Sequence, residues 1–117
     1  MRNFVTIAAI TLLFSGQALA ADVSTPEQIS EGRKLSINLC AACHIVAVDQ
    51  PDLPVLKITP PFFFEIANDP KTTPDSIRKF LEKTHWDFKS RPVTMPAPEL
   101  DKAQQDAIIA YIMSLKR

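Results

Sequence analysis

The chain has 117 residues, 46% of them apolar and 22% charged, with 13 basic and 13 acidic side chains and a formal net charge of zero. That size and apolar content give one small globular domain and exclude a disordered segment. Balanced charge excludes a nucleic-acid binder, which needs a basic excess to neutralise phosphates.

Residues 1–20 read as a signal peptide. Arg2 supplies a positive start, Phe4 to Phe14 is apolar, and Ala18-Leu19-Ala20 is the small-x-small pattern that signal peptidase cuts. The apolar stretch is shorter than the roughly 20 residues a membrane span requires. Cleavage after Ala20, a mature domain over residues 21–117, a periplasmic location and no membrane anchor are therefore expected. Cleavage removes Arg2 and no acidic residue, so the net charge becomes −1. What remains has 10 prolines, two cysteines and a single glycine, Gly32. A domain this small buries only about 60–65% of its unfolded surface and needs further support. Two cysteines cannot build a disulfide scaffold, whereas a large apolar cofactor fills the deficit.

Thr25-Pro26-Glu27-Gln28 predicts the start of a first helix, with a Thr cap, Pro at the first position and Gln three residues after the cap. Ile29, Gly32, Leu35 and Leu39 follow at helical spacing and lead into Cys40. Gly32 costs about 1 kcal/mol relative to Ala inside a helix, and its presence there predicts close approach by another helix.

Both cysteines lie in Cys40-Ala41-Ala42-Cys43-His44. C-x-x-C-H is the attachment sequence of c-type haem. Residues i and i+3 on a helical turn share a face, so both thiols reach the vinyl groups of one porphyrin. His44, beside the second thiol, then offers a neutral imidazole to the iron. A thioredoxin-like redox pair needs a βαβ setting, and the chain offers no convincing strand. A zinc site needs four ligands, and the candidates reduce to Cys40, Cys43, His44 and His85. A plain disulfide leaves the adjacent His unexplained.

Residues 45–60, with Pro51, Pro54 and Pro60, read as loop, and Phe62 to Ala67 as a short helical piece. Thr73-Pro74-Asp75-Ser76 opens another helix with Ile77, Phe80 and Leu81 as its buried stripe, ending at Lys83 or Thr84. The last helix starts near Asp101 with Gln104 completing a cap. Ile108, Tyr111, Ile112 and Leu115 form its stripe, and Lys116 and Arg117 lie at the negative end of its dipole.

With these features the chain resembles the class I c-type cytochromes over about Pro26 to Leu115. The resemblance implies an all-α cytochrome c fold, with N- and C-terminal helices crossing around one covalently bound haem, a middle helix and Pro-rich loops. In that family a small residue on the first helix meets an aromatic on the last, and Gly32 and Tyr111 match those positions. Ser36 stands where the family often has an aromatic. Met95, in Arg91-Pro92-Val93-Thr94-Met95-Pro96, resembles the family's axial-Met loop, and its soft thioether suits haem iron. Met113, His85 or no protein ligand are the alternatives for the sixth position. A Pro carbonyl that accepts a hydrogen bond from the proximal His is also implied. Pro61 in Pro60-Pro61-Phe62-Phe63 fits it best, with Pro60 and Pro54 as alternatives and Phe63 packing on the ring. Trp86 is expected in the core, with its indole N–H as a candidate partner for a haem propionate.

His44 and Met95 together close the iron to substrate and leave one-electron transfer as the expected function, without enzymatic activity. The expected partners are redox proteins, a reductase or dehydrogenase as donor and an oxidase or other acceptor. Lys57, Lys89 and Arg91 are candidates for the rim of the haem edge. The alternatives are a haem subunit of a dehydrogenase or oxidase complex, and a haem-based sensor or enzyme if Met95 does not ligate.

Overall fold

The structure, a computed structural model, describes residues 24–55, 60–83 and 95–117. Four α-helices and no β-strand occur among the described residues: α1 (Pro26–Leu39), α2 (Phe63–Asn68), α3 (Pro74–Leu81) and α4 (Lys102–Ser114). The signal-peptide reading of residues 1–20, and the expectations for Lys57, His85, Trp86, Lys89 and Arg91, fall outside the described residues.

Each long helix begins where its cap chemistry dictates. The Thr25 hydroxyl accepts from the Gln28 N–H ahead of Pro26. Thr73 and Ser76 form a reciprocal capping box around Pro74. Asp101 and Gln104 do the same for α4. A cap of this kind stabilises a helix by about 1 kcal/mol because it satisfies backbone donors the helix itself cannot. α3 stops at Leu81, two residues before the expected end.

α4 is the hub and packs against α1, α2 and α3. Its residues Ala107, Ile108, Ile109, Ala110, Tyr111 and Ile112 are all buried, so the middle of the helix is covered on every side. The expected stripe of Ile108, Tyr111 and Ile112 is present, but it is one face of a wider buried surface. Ala107 and Ala110 are small enough to let neighbouring elements approach. Leu115 is half-buried against the same core.

The crossing of α1 and α4 depends on Gly32. A Cβ placed there would lie 1.9 Å from the Ala107 carbonyl oxygen and 2.9 Å from Tyr111 Cβ. Backbone therefore touches backbone, and the close approach that a lone helical glycine predicts is present. One turn later Ser36 is fully buried, its hydroxyl donating to the Gly32 carbonyl at 2.7 Å. A small hydroxyl in that position lets the helices stay close while its polar atom is satisfied within its own helix.

Two positions expected in the buried stripes are not buried. Leu39 is 53% exposed and Phe80 47% exposed. Phe80 lies one position off the line of Ile77 and Leu81 on α3, whereas Leu39 shares the face of Gly32 and Ser36 but is the last residue of α1. The end of the chain makes further contacts. Lys116 and Arg117 lie beyond the last turn of α4. There the Arg117 N–H donates to Asn68 Oδ1 at 2.9 Å, Asn68 Nδ2 donates to the Leu115 carbonyl at 3.2 Å, and the Arg117 guanidinium sits over the Phe64 ring. The C-terminus is thus tied to α2.

Candidate functional site

The cysteine motif continues α1 by one turn. Cys40 N–H donates to the Ser36 carbonyl at 2.9 Å, and Cys43 and His44 N–H both donate to the Cys40 carbonyl, at 3.0 and 2.8 Å. That turn carries the two thiols at i and i+3, both half-buried and neither in a disulfide. Ala41 is buried against the core and Ala42 is exposed, so the two intervening residues have opposite surroundings. A cleft of about 480 Å³ lies beside them, walled by Ile37, Asn38, Asp52, Leu53 and Val55.

Burial, with a smaller contribution from the neighbouring Cys43, pushes the Cys40 thiol up to about 11. Cys40 is therefore protonated at neutral pH. A thiol held protonated in this way is a poor nucleophile for disulfide exchange. Among the described residues no cluster of His, Cys, Asp and Glu has the make-up of a metal site of its own.

His44 is the best-oriented group in this region. Its Nδ1 lies 2.9 Å from the Pro61 carbonyl oxygen. A carbonyl only accepts, so Nδ1 carries the proton and Nε2 keeps its lone pair free. The ring also meets Phe63, with centroids 5.6 Å apart and planes tilted by 58°. Phe63 is 5% exposed and reaches on to Tyr111, with ring centroids 6.5 Å apart. The Phe63 N–H donates to the Ile45 carbonyl at 3.0 Å, so the start of α2 is bonded to the residue that follows His44. Pro61, Phe63 and His44 are thus held together by one backbone bond, one side-chain bond and one ring contact.

Met95 lies seven residues before α4, half-buried and packed against the core cluster that contains Phe63 and Tyr111. Met113 is also half-buried and packs against the same cluster. It lines a second cleft with Gln28, Arg78, Lys102 and Asp106, which contains neither cysteine nor His44.

A family model for cytochrome c matches residues 29–116, most of the chain and the whole of the four-helix region except the first turn of α1. The chain belongs to the cytochrome c family. No curated protein and no solved structure matches it. As a cytochrome c it is a haem-binding electron-transfer protein, and its all-helical core has the architecture expected of that family. Haem c is its cofactor, and Cys40, Cys43 and His44 fit covalent attachment. The fit is chemical as well as numerical. Two unpaired thiols lie on one turn, and beside them is an imidazole whose proton is committed to a backbone carbonyl.

Sequence reasoning missed the residues that hold the loop after His44. Arg33 on α1 pairs with Asp49 at 2.7 Å, Tyr111 donates its hydroxyl proton to the Val46 carbonyl at 2.8 Å, and Gln50 folds back over the loop. These contacts join residues up to 65 positions apart and leave no periodic trace. The aromatic at Tyr111 was legible as core, but its hydroxyl partner was not.

Proposed function

We propose that this cytochrome is an exported one-electron carrier in which His44 and Met95 are the axial ligands of a haem held by thioethers to Cys40 and Cys43. The observation that carries the proposal is the 2.9 Å contact from His44 Nδ1 to the Pro61 carbonyl. It leaves Nε2 as the free electron pair and fixes the tautomer and the ring orientation, as outer partners of metal-bound histidines do. When bound, haem supplies a one-electron Fe(III)/Fe(II) change.

The chain's own residues keep that change simple. His44 is held through ring, backbone and α2. Phe63 and Tyr111 exclude water from the histidine side of the site. Met95 brings a soft sulfur from a segment with Pro96 directly behind it, and Met ligation raises the reduction potential relative to a second histidine. Two protein ligands leave no open position for a substrate, which favours carriage of electrons over catalysis.

The apolar stretch Phe4 to Phe14 and Ala18-Leu19-Ala20 support export to the periplasm with cleavage after Ala20. No helix among the described residues is long and apolar enough to cross a membrane. The partners are then redox proteins met in small transient encounters, a dehydrogenase or reductase on one side and an oxidase or other acceptor on the other.

Visible and near-infrared spectra of the purified protein in both redox states test this reading. The oxidised wild type should show the weak band of a sulfur–iron bond, Met95→Ala should abolish it, and the pigment should stay with the polypeptide through denaturation and acetone extraction. Ready binding of CO by the reduced wild type would refute Met95 as a ligand and point to a sensor or enzyme.

A further inference from the structure

The backbone that follows His44 is held by side chains from elsewhere in the fold. Gln50 is central. Its Oε1 accepts from the Val46 N–H at 2.7 Å and from the Ala47 N–H at 3.3 Å, and its Nε2 donates to the Asp52 carbonyl at 2.7 Å and to the His44 carbonyl at 3.5 Å. One carboxamide thus closes residues 44–52 into a loop. The Val46 carbonyl, in one peptide group with the Ala47 N–H, is taken by Tyr111, whose hydroxyl donates to it at 2.8 Å. Val46 is 1% exposed, so neither half of this pairing has water as a substitute. The Ile45 carbonyl, in one peptide group with the Val46 N–H, accepts from the Phe63 N–H. Successive peptide groups after His44 are therefore fixed from three directions.

We infer that Gln50, with the Tyr111 hydroxyl, is a positioning residue for His44. It fixes the peptide two residues beyond the imidazole and so restricts how the ring turns about the axis from Nε2 to the iron. The inference rests on His44 being an axial ligand. Geometry explains why Gln50 has this effect and a generic loop residue does not. The Pro61 carbonyl sets where Nδ1 points, but a single hydrogen bond allows the ring and the carbonyl to move together. Holding Ile45 through α2 and Val46 through Gln50 and Tyr111 removes that shared motion. Removing the carboxamide leaves the buried Val46 N–H without its acceptor, which drives the loop to rearrange next to His44.

The test uses covalently loaded full-length protein. Low-temperature EPR of the ferric form reads axial-ligand orientation, redox titration reads the potential, and thermal unfolding reads stability alone. Wild type should give one low-spin species. Gln50→Leu should keep its haem covalently bound but split that signal into two or more components and shift the midpoint potential. Tyr111→Phe, which removes the second tie on the same peptide, should broaden the signal as well and guards against a Gln50 variant that does not fold. Gln50→Glu keeps the acceptor for Val46 and Ala47 and should retain one component. If Gln50→Leu and Tyr111→Phe lower the unfolding temperature yet leave signal and potential as in the wild type, the two residues are only structural and the inference is overturned. A separate measurement isolates the underlying assignment. The chain has two histidines, so isotopically labelled histidine in a His85→Gln background must show a nitrogen coupled to the iron. Absence of that coupling in otherwise wild-type protein overturns His44 as ligand, and the inference with it.

Discussion

Gly32→Ala adds one methyl group at the crossing of α1 and α4. The new Cβ would lie 1.9 Å from the Ala107 carbonyl oxygen, against ordinary contact that begins at 3.4 Å. Restoring contact requires α4 to retreat by about 1.5 Å, and a gap of about 1 Å already forfeits up to half of the dispersion attraction across an interface. Rotation of a side chain gives no escape, because the obstacle is a backbone carbonyl. Ala gains about 1 kcal/mol of helix propensity over Gly, while overpacking costs about 1–3 kcal/mol and more where backbone must move. Since backbone must move here, the cost lies at or above the top of that range, and the net expectation is a loss of about 2 kcal/mol or more, out of the roughly 5–10 kcal/mol that holds a small domain together. At 4–8 °C per kcal/mol, a loss of about 2 kcal/mol is a fall in Tm of roughly 8–16 °C, read by far-UV circular dichroism of the oxidised, haem-loaded protein. An unchanged or higher Tm would show that propensity decides the outcome and that the two backbones do not touch.

Three further expectations come from the same packing. Tyr111 is buried, and burial raises its hydroxyl above the usual tyrosine value, against the lowering influence of Arg33. Stability tied to this group is present below the unfolded value near 10 and is lost as pH rises through the higher folded value. Denaturant titrations across that range should therefore show an alkaline decline that Tyr111→Phe flattens, together with a loss of about 1–3 kcal/mol at neutral pH from the unpaired Val46 carbonyl. Phe63→Ala removes a ring that is 5% exposed and touches both His44 and Tyr111. It should cost about 3–5 kcal/mol in chemical denaturation. Lys102 first, and then Arg78, holds the Asp106 carboxyl below its ordinary range. Its contribution is present above the unfolded carboxylate value and lost as pH falls through the folded one. Asp106→Asn should flatten the acid limb of a stability–pH profile by only a few tenths of a kcal/mol, because the group is partly screened.

Local chemistry was legible without coordinates. Thr25, Thr73 and Asp101 cap helices because a side-chain oxygen three residues upstream of a free N–H is a short-range relationship. The spacing of Cys40, Cys43 and His44 is equally local, and it identifies haem attachment from five consecutive residues. The lone glycine at 32 disclosed a helix crossing because a helical glycine costs energy that only a close contact offsets. Phe80 shows where such reasoning fails. Apolar periodicity locates a helical face to within about one position, and one position is 100° of rotation.

What only the tertiary structure decided depends on distance along the chain. Burial of α4 on every side follows from three partners arriving at once, and no window of α4 encodes which faces they cover. The carbonyl nearest His44 Nδ1, Pro61 among several neighbouring prolines, is selected by the hydrogen bond from Phe63 to Ile45, which sets the register of one segment against the other. Gln50 folds over the loop because the Val46 peptide is buried beneath Tyr111 and lacks water. Sequence determines which groups can bind haem and begin helices, since those properties reside in neighbouring atoms. Orientation of the groups is decided by packing, since a buried polar atom must find its partner wherever the fold has placed one.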